Sequence, residues 1–468
     1  MMNHSANKTF SKSLRFLIFF FVPVLVGATL NGESLYGQTS LFTNALIITG
    51  DGEVIERGAM LVEGDVILDV GPVRSVSVPE DTAIIDLEGK TIVPAFIDAH
   101  AHLGYQGRTG WGSENYNSEN LIDNLQQYAY YGFGTVFSAG SDVADLLWKT
   151  QESWNRNDYI GARILTAAGM APPGQGPNNQ FLEHILALEK STGTKILWGL
   201  ENSSSAKAAV KQAASQGFQF IKLWVDDRGG SQQKLGPMLY RAVIEEANSL
   251  GLKVFVHQQL GEDMPDLIAA GTHGFLHGRL GRPVGPVIAK QLNRSGVFVV
   301  PNLGLGELRR EAIGRDPFLA DILSSELLNQ LLPTSNQRSL QVTRNANVEE
   351  ELLASFNALL EANVDIVLGT DAGAIPGHPF GYTGHRELEI YVRLGMTTME
   401  ALMAGTSKAA FHLQLDDAGL LQPGFRADFV VLEKNPLEDI RNTRTILEVY
   451  LGGLSLDRES LRDKWQDP

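Results

Sequence analysis

The chain has 468 residues, 43% of them hydrophobic and 20% charged, with 48 glycines, which describes a loop-rich globular protein with room for one large domain and an accessory one. A formal charge of -16 argues against nucleic acid or anionic membrane surfaces as partners. The absence of cysteine excludes disulfides, zinc fingers and thiol catalysis, so any metal must be held by His, Asp, Glu or a modified Lys.

In chain order, Lys8, Lys12 and Arg15 precede an apolar run from Phe16 to Leu30. At about 15 residues the run suits a signal-peptide core better than a membrane span of about 20. Residues 1–37 therefore read as an export signal, with cleavage after Ala28 or Gly37, or as an uncleaved anchor. Either reading exports the protein to a periplasmic or secreted location, with no stable membrane span once a signal is removed.

From Leu41 to Val93 short β-like runs are broken by Gly and Asp: Ala45 to Ile48, Gly58 to Val62, Val66 to Val70 and Ala83 to Asp86. Gly50-Asp51-Gly52 and Glu63-Gly64-Asp65 read as their turns. Similar runs return at Ala427 to Leu432 and Thr445 to Leu451. The two chain ends, 41–93 and 416–468, are thus expected to build one small β-sandwich domain.

Between them, residues 94–415 alternate strand-like and helical patterns, the signature of a parallel α/β arrangement. Eight strands are predicted: Ile97–His102, Gly134–Ser138, Arg163–Ala168, Phe218–Val225, Lys253–His257, Gly274–His277, Val297–Pro301 and Val364–Asp371. Eight is the number that closes a (β/α)8 TIM barrel. A helix is expected over Ser118–Tyr131 behind a Ser cap, and another over Pro237–Leu250, stopped by Gly251. The interval Leu303–Asn363 exceeds one crossover and reads as a helical insertion.

Residues able to bind metal recur where these strands end. His100 and His102 alternate on the first strand, which sends both rings to one face. Lys222 ends the apolar Phe220-Ile221 and precedes Leu223-Trp224, a costly place for a charge unless it is paired or modified, or snorkels from the strand end. His257, His277 and Asp371 close the fifth, sixth and eighth strands. Singly each has an ordinary structural reading, a core imidazole or a helix cap. Six on the matching ends of five strands fit a metal site at the mouth of a barrel.

With these residues in place, the chain resembles the amidohydrolase superfamily from about residue 41 onward. The resemblance rests on Pro94-Ala95-Phe96-Ile97-Asp98-Ala99-His100-Ala101-His102, on Ile221-Lys222, His257, Leu276-His277-Gly278 and Gly369-Thr370-Asp371, and on the tail Gly419 to Asp428. It implies that carbon dioxide carboxylates Lys222 to a carbamate bridging two divalent ions. His100, His102 and Asp371 would hold one ion, and His257 and His277 the other. The ions would be zinc, with manganese or cobalt as alternatives. A bridging hydroxide would attack, with Asp371 as general base and a metal polarising the scissile carbonyl.

Ala95 departs from the usual Gly, and Gln258-Gln259-Leu260 after His257 lacks the His-x-x-Glu of the superfamily's deaminases. The closer likeness is to the imidazolonepropionase-like group that includes metal-dependent Xaa-Pro dipeptidases, judged by Gly217–Leu223, Ala247–His257 and His385–Glu389. Imidazolonepropionase resembles a one-metal enzyme without the strand-four lysine, so Lys222 favours the dipeptidase side. The loops Ala171–Gly176 and Asp226–Gly230 do not match those dipeptidases.

The expected activity is hydrolysis of an amide in a small molecule, a dipeptide or N-acyl amino acid. The alternatives are a lactonase or phosphotriesterase on the same site, or a non-catalytic metal-binding envelope protein. A homo-oligomer is compatible with the chain. Arg228, Arg279 and Arg282 on mouth loops are expected to face a substrate carboxylate, His378 an oxyanion, and Tyr382 the substrate more weakly. His385 is a further loop candidate, His273 lies away from the mouth, and His184 and His412 fall on helical stretches as surface or packing residues.

Overall fold

The computed structural model describes residues 39–258, 260–277, 284–308, 311–332 and 346–466. The segment read as an export signal, and Arg279 and Arg282, lie outside the described residues. Among the described residues no helix is long and apolar enough to cross a membrane.

Two sheets organise the chain. The first is built from both ends: β1 (Thr39–Ile48), β2 (Val54–Glu63), β3 (Val66–Pro72), β4 (Ala83–Asp86) and β5 (Thr91–Pro94) join β14 (Phe429–Leu432), β15 (Ile446–Leu451) and β16 (Leu454–Ser455). Its order is β16-β15-β14-β5-β1-β2-β3, with β4 parallel to β1. Phe42, Phe429 and Tyr450 pack their rings at its centre, with centroids 4.6 to 5.0 Å apart. Relative to the sequence reading, β5 and β16 are additional.

The second sheet is the barrel: β6 (Phe96–Ala101), β7 (Phe133–Ser138), β8 (Arg163–Ala171), β9 (Leu197–Gly199), β10 (Phe220–Val225), β11 (Lys253–Gln258), β12 (Gly274–Leu276) and β13 (Phe298–Val300). Its strands run parallel in the order β13-β12-β11-β10-β8-β7-β6, with the three-residue β9 added to β8. The predicted eighth strand is not a regular one. Residues 364–372 instead lie between β13 and β6 as an extended segment joined by isolated bridges, Val299 to Ile366 and Ala101 to Ala372. The Val367 N–H donates to the Val299 carbonyl and the Ala99 N–H to the Leu368 carbonyl, both at 2.9 Å, which closes the ring.

The interior is packed with aromatic rings from four of the strands, β7, β10, β11 and β13. Phe137 meets Phe220 at 5.2 Å and Phe255 at 5.4 Å, and Phe255 meets Phe298 at 5.1 Å, all edge-on. Because a strand repeats every two residues, Lys222 stands above Phe220 and His257 above Phe255, one layer nearer the mouth. The aromatic layer is thus the floor of the site.

Helices fill the crossovers. The first, Ser118–Tyr130, is capped by Asn117, whose side chain accepts from the Asn120 N–H, rather than by the Ser inside it. Pro237–Ser249 begins with Pro at its first turn and ends before Gly251, whose φ of 75° suits glycine. The interval after β13 is helical as expected, with Gly304–Glu307, Pro317–Ala320, Ser325–Gln330 and Ala346–Glu361 among the described residues.

Candidate metal centre and active site

The barrel mouth gathers the histidines, lysine and aspartate of the sequence reading, but not by strand alternation alone. β6 shifts register against β7 between Asp98 and Ala101, so the strand is irregular where it delivers His100 and His102. Leu276 belongs to the interior cluster, so regular alternation would turn the next side chain outward. His277 instead adopts φ 68°, and Asp371 φ 59°, left-handed conformations that re-aim both side chains into the mouth.

His100, His102 and Asp371 form one buried group whose nitrogen and oxygen atoms lie within 4.8 Å of one another. Asp371 Oδ1 is 3.4 Å from His100 Nε2 and 3.2 Å from His102 Nε2. It finds no hydrogen-bond partner among the described residues. Asp371 Oδ2 is 3.1 Å from His277 Nε2. Lys222 is buried, and its Nζ donates to His100 Nε2 at 3.1 Å. The His257 and His277 rings pack 4.9 Å apart.

The outer nitrogens are held by residues that the motifs did not reveal. His100 Nδ1 donates to Asn302 Oδ1 at 3.0 Å, and His102 Nδ1 lies 2.7 Å from Ser141 Oγ. These bonds fix the ring planes and leave Nε2 of each imidazole facing Asp371. His257 Nε2 is bound by Asp226 Oδ2 at 2.8 Å, so only Nδ1 of that ring remains for a ligand. Gln258, beside it, is fully buried in the cavity wall, and its Oε1 has no partner among the described residues. An Asn or Ser at a strand end reads as a turn residue, so the sequence carried no distinct signal for Asn302 or Ser141.

The electrostatics follow from burial. Desolvation holds His100, His257 and His277 below the ordinary imidazole range, so they are neutral donors of a lone pair. Burial lowers Lys222 to about 7 against the opposing charge of Asp371, leaving a large share of neutral amine near neutrality. Burial would raise Asp371, but the imidazoles of His277, His100 and His102 at its oxygens outweigh it and hold the carboxylate ionised.

A buried carboxylate oxygen without a hydrogen bond, flanked by two oriented imidazole nitrogens, suits a divalent cation of borderline softness. A cavity of about 440 Å3 opens over the group, with Phe181, Trp224, Gln258 and Ile375 in its wall. Arg228 also lines it. Its Nη1 is 2.8 Å from Asp226 Oδ2 and its Nη2 donates to the Gly176 carbonyl. This arginine is therefore braced by the protein.

Two of the loop residues lie elsewhere. His378 is buried, donates from Nε2 to the Thr370 carbonyl at 3.0 Å, and lines a different cavity. Tyr382 is buried with its hydroxyl on Asp316, because the helix Tyr382–Arg393 turns that side chain toward an Asp316, Arg386 and Arg444 network. His385 spans Thr443 and the Tyr131 carbonyl and is a packing residue. His273 accepts the Val254 N–H, and His412 pairs with Asp365 and stacks on Phe298.

The chain is 24% identical over 423 residues to an imidazolonepropionase of Deinococcus radiodurans, covering 87% of this chain and 94% of that protein. It is 22% identical over 451 residues to an ochratoxinase of Aspergillus niger, covering 89% and 86%. Its fold superposes on a Xaa-Pro dipeptidase with methionine in the active site at a TM-score of 0.68, with 23% identity, covering 90% of this chain and all of that one. Residues 91–455 match the model of the amidohydrolase family, and the chain belongs to that family of hydrolases acting on carbon–nitrogen bonds.

Proposed function

We propose that this protein is an exported dinuclear metallohydrolase that cleaves an amide in a dipeptide or N-acyl amino acid. The observation that carries the reading is Lys222, a fully buried lysine whose Nζ lies 3.1 Å from His100 Nε2 in the mouth of the barrel. As a cation that lysine has only the Asp371 carboxylate to offset the cost of its burial. As the amine it can add carbon dioxide, forming the N–C bond of a carbamate and releasing one proton, which converts a misplaced positive charge into an anionic ligand. His100, His102 and Asp371 would hold one divalent ion, and His257 through Nδ1 and His277 the other, with the Lys222 carbamate between them. Zinc is favoured by the imidazole content. When bound, the ions supply Lewis acidity and lower the pKa of water.

The protein's own groups do the rest. Asp371, kept ionised among three imidazoles, accepts a proton at a carboxylate oxygen and returns it to the leaving nitrogen. Asn302, Ser141 and Asp226 hold the imidazoles in register so that no ordering remains to be done at the moment of reaction. Phe181 and Trp224 provide an apolar wall for a side chain of the substrate. The likeness to a Xaa-Pro dipeptidase with methionine in its active site supports an amide with an amino-acid half.

The test is metal analysis of purified protein beside a screen of dipeptides, N-acyl amino acids, lactones and aryl phosphotriesters. Two metals per chain and amide turnover are expected. Lys222→Ala should lose activity and metal together, with partial recovery in short carboxylic acids. Lactone or phosphotriester turnover without amide turnover would sink the assignment, and one metal per chain would sink the dinuclear site.

A further inference from the structure

Beside the metal cavity lies a second one of about 430 Å3 that hydrolysis leaves unused. The loop after Asp371 runs between them: Ala374 and Ile375 line the first, whereas Pro376 to Pro379 line the second. The rest of the second lining is mainly apolar, with Trp111, Leu327, Leu331 and Trp465. One cation is set among them. Arg108, half-buried in the turn that Gly107 and Gly110 close, makes no hydrogen bond or ion pair among the described residues. Among the described residues Glu326 contributes the one carboxylate of the lining, from an exposed position and with no bond to Arg108.

Partial burial of a guanidinium without a counter-ion sacrifices hydration for no return. The fork of N–H groups is complementary to a carboxylate, and the volume matches that of small-molecule sites. We infer that this cavity binds a small apolar monocarboxylate, its carboxylate on Arg108 and its body against Trp111, Leu327, Leu331 and Trp465. The occupant would sit against the supports of the hydrolytic loop. Trp111 Nε1 donates to the Gly373 carbonyl at 2.7 Å, and His378 Nε2 to the Thr370 carbonyl at 3.0 Å, so two lining side chains hold the backbone on either side of Asp371. Trp111 also packs on Phe181, whose ring packs on His102. Binding here is thus coupled in space to Asp371 and His102 without touching the reacting bond.

The experiment is calorimetric titration of the metal-loaded protein with 4-phenylbutyrate, with 4-phenylbutyramide as its neutral twin, each repeated in excess acetohydroxamate to occupy the metal site. One site per chain is expected, unaffected by the hydroxamate, with affinity at least tenfold weaker for the amide and for Arg108→Ala, and abolished in Leu327→Trp. Quenching of the Trp111 and Trp465 fluorescence gives a second readout in the unsubstituted protein and in Arg108→Ala, so the inference stays testable if Leu327→Trp fails to fold. Absence of binding, displacement by the hydroxamate, or equal affinity in Arg108→Ala would overturn it.

Discussion

Asn302 offers the sharpest test of how the metal ligands are held. Its Oδ1 accepts from His100 Nδ1 at 3.0 Å, and both side chains are buried, so water cannot replace the bond. Losing the acceptor leaves an unsatisfied N–H, which costs about 1–3 kcal/mol. It also frees the imidazole to adopt the other tautomer, with the proton on Nε2 instead of a lone pair. Outer-shell partners of this kind are worth roughly 10–100-fold in metal affinity. The backbone has φ 52° at Asn302, so alanine would add left-handed strain of its own. Asn302→Gly removes the side chain without that strain, whereas Asn302→Asp keeps an acceptor. The glycine variant should therefore bind zinc about 10–100-fold more weakly in a chelator-competition titration, and the aspartate variant should stay near the unsubstituted protein. Equal affinity in all three proteins, or equal loss in both variants, would refute the role assigned to the Asn302 carbonyl.

Replacing Asp371 by Asn should lower kcat by about 10²–10⁴ while plasma emission still finds metal bound, because the four imidazoles and Lys222 remain. Gly373→Ala should abolish metal retention: an added Cβ would stand 1.8 Å from the His102 carbonyl and the backbone there has φ 87°, which circular dichroism with metal analysis would separate from global unfolding. Burial raises Glu387 to about 8 even though the Leu303 and Gly304 N–H groups donate to it. Since the folded value exceeds the unfolded one, its contribution to stability is complete below about pH 4.5 and is lost as pH rises toward 8. At about 1.4 kcal/mol per pH unit the ceiling is about 5 kcal/mol, so urea unfolding at pH 5 and pH 8 should show a larger loss than in Glu387→Gln.

What could be read from the chain, and what could not, divides along physical lines. His100, His102, Lys222 and Asp371 stood out because a charge or imidazole at the end of an apolar strand is chemically anomalous wherever it occurs. Ser141, Asp226 and Asn302 are ordinary loop residues until folding sets each against an imidazole, and the partners His100 and Asn302 are 202 residues apart. Conformation was equally hidden. Alternation predicts where a side chain points only while the strand is regular, and His277, Asn302 and Asp371 all sit at φ between 52° and 68°. The same break explains the eighth strand: Gly369 lies so close to β6 that its Cβ position would be 3.0 Å from the His100 nitrogen, and the left-handed Asp371 then ends the ladder. β9 is not predicted from the sequence because three residues carry too little pattern. His378 and Tyr382 were misplaced for a different reason. Sequence put them after the right strand, and the turn through Pro376-Gly377 carries them past the mouth.

The seam of the barrel and the metal site are one structure. β6 and residues 364–372 meet through Ala99 to Leu368, through Thr370 and Asp371 to the His100 carbonyl, and through His102 to the Ala372 carbonyl. Buried Asp98 reinforces the joint, accepting from the Thr370 N–H and hydroxyl and from Tyr128. The side chains bracketed by this seam are His100, His102 and Asp371, the group in which Asp371 Oδ1 has no hydrogen bond to offset its burial. A cation there would tie the first and last barrel segments together by ligand bonds, with Lys222 the single point at which β10 joins them, whereas β8 gains no such link. Chelation should therefore accelerate amide exchange selectively at residues 97–102 and 364–372, with little change in β8 and only a local effect at Lys222 in β10. Hydrogen–deuterium exchange of loaded and stripped protein reads this directly. Uniform loosening of all barrel strands, or no change at the seam, would show that metal binding and barrel closure are independent.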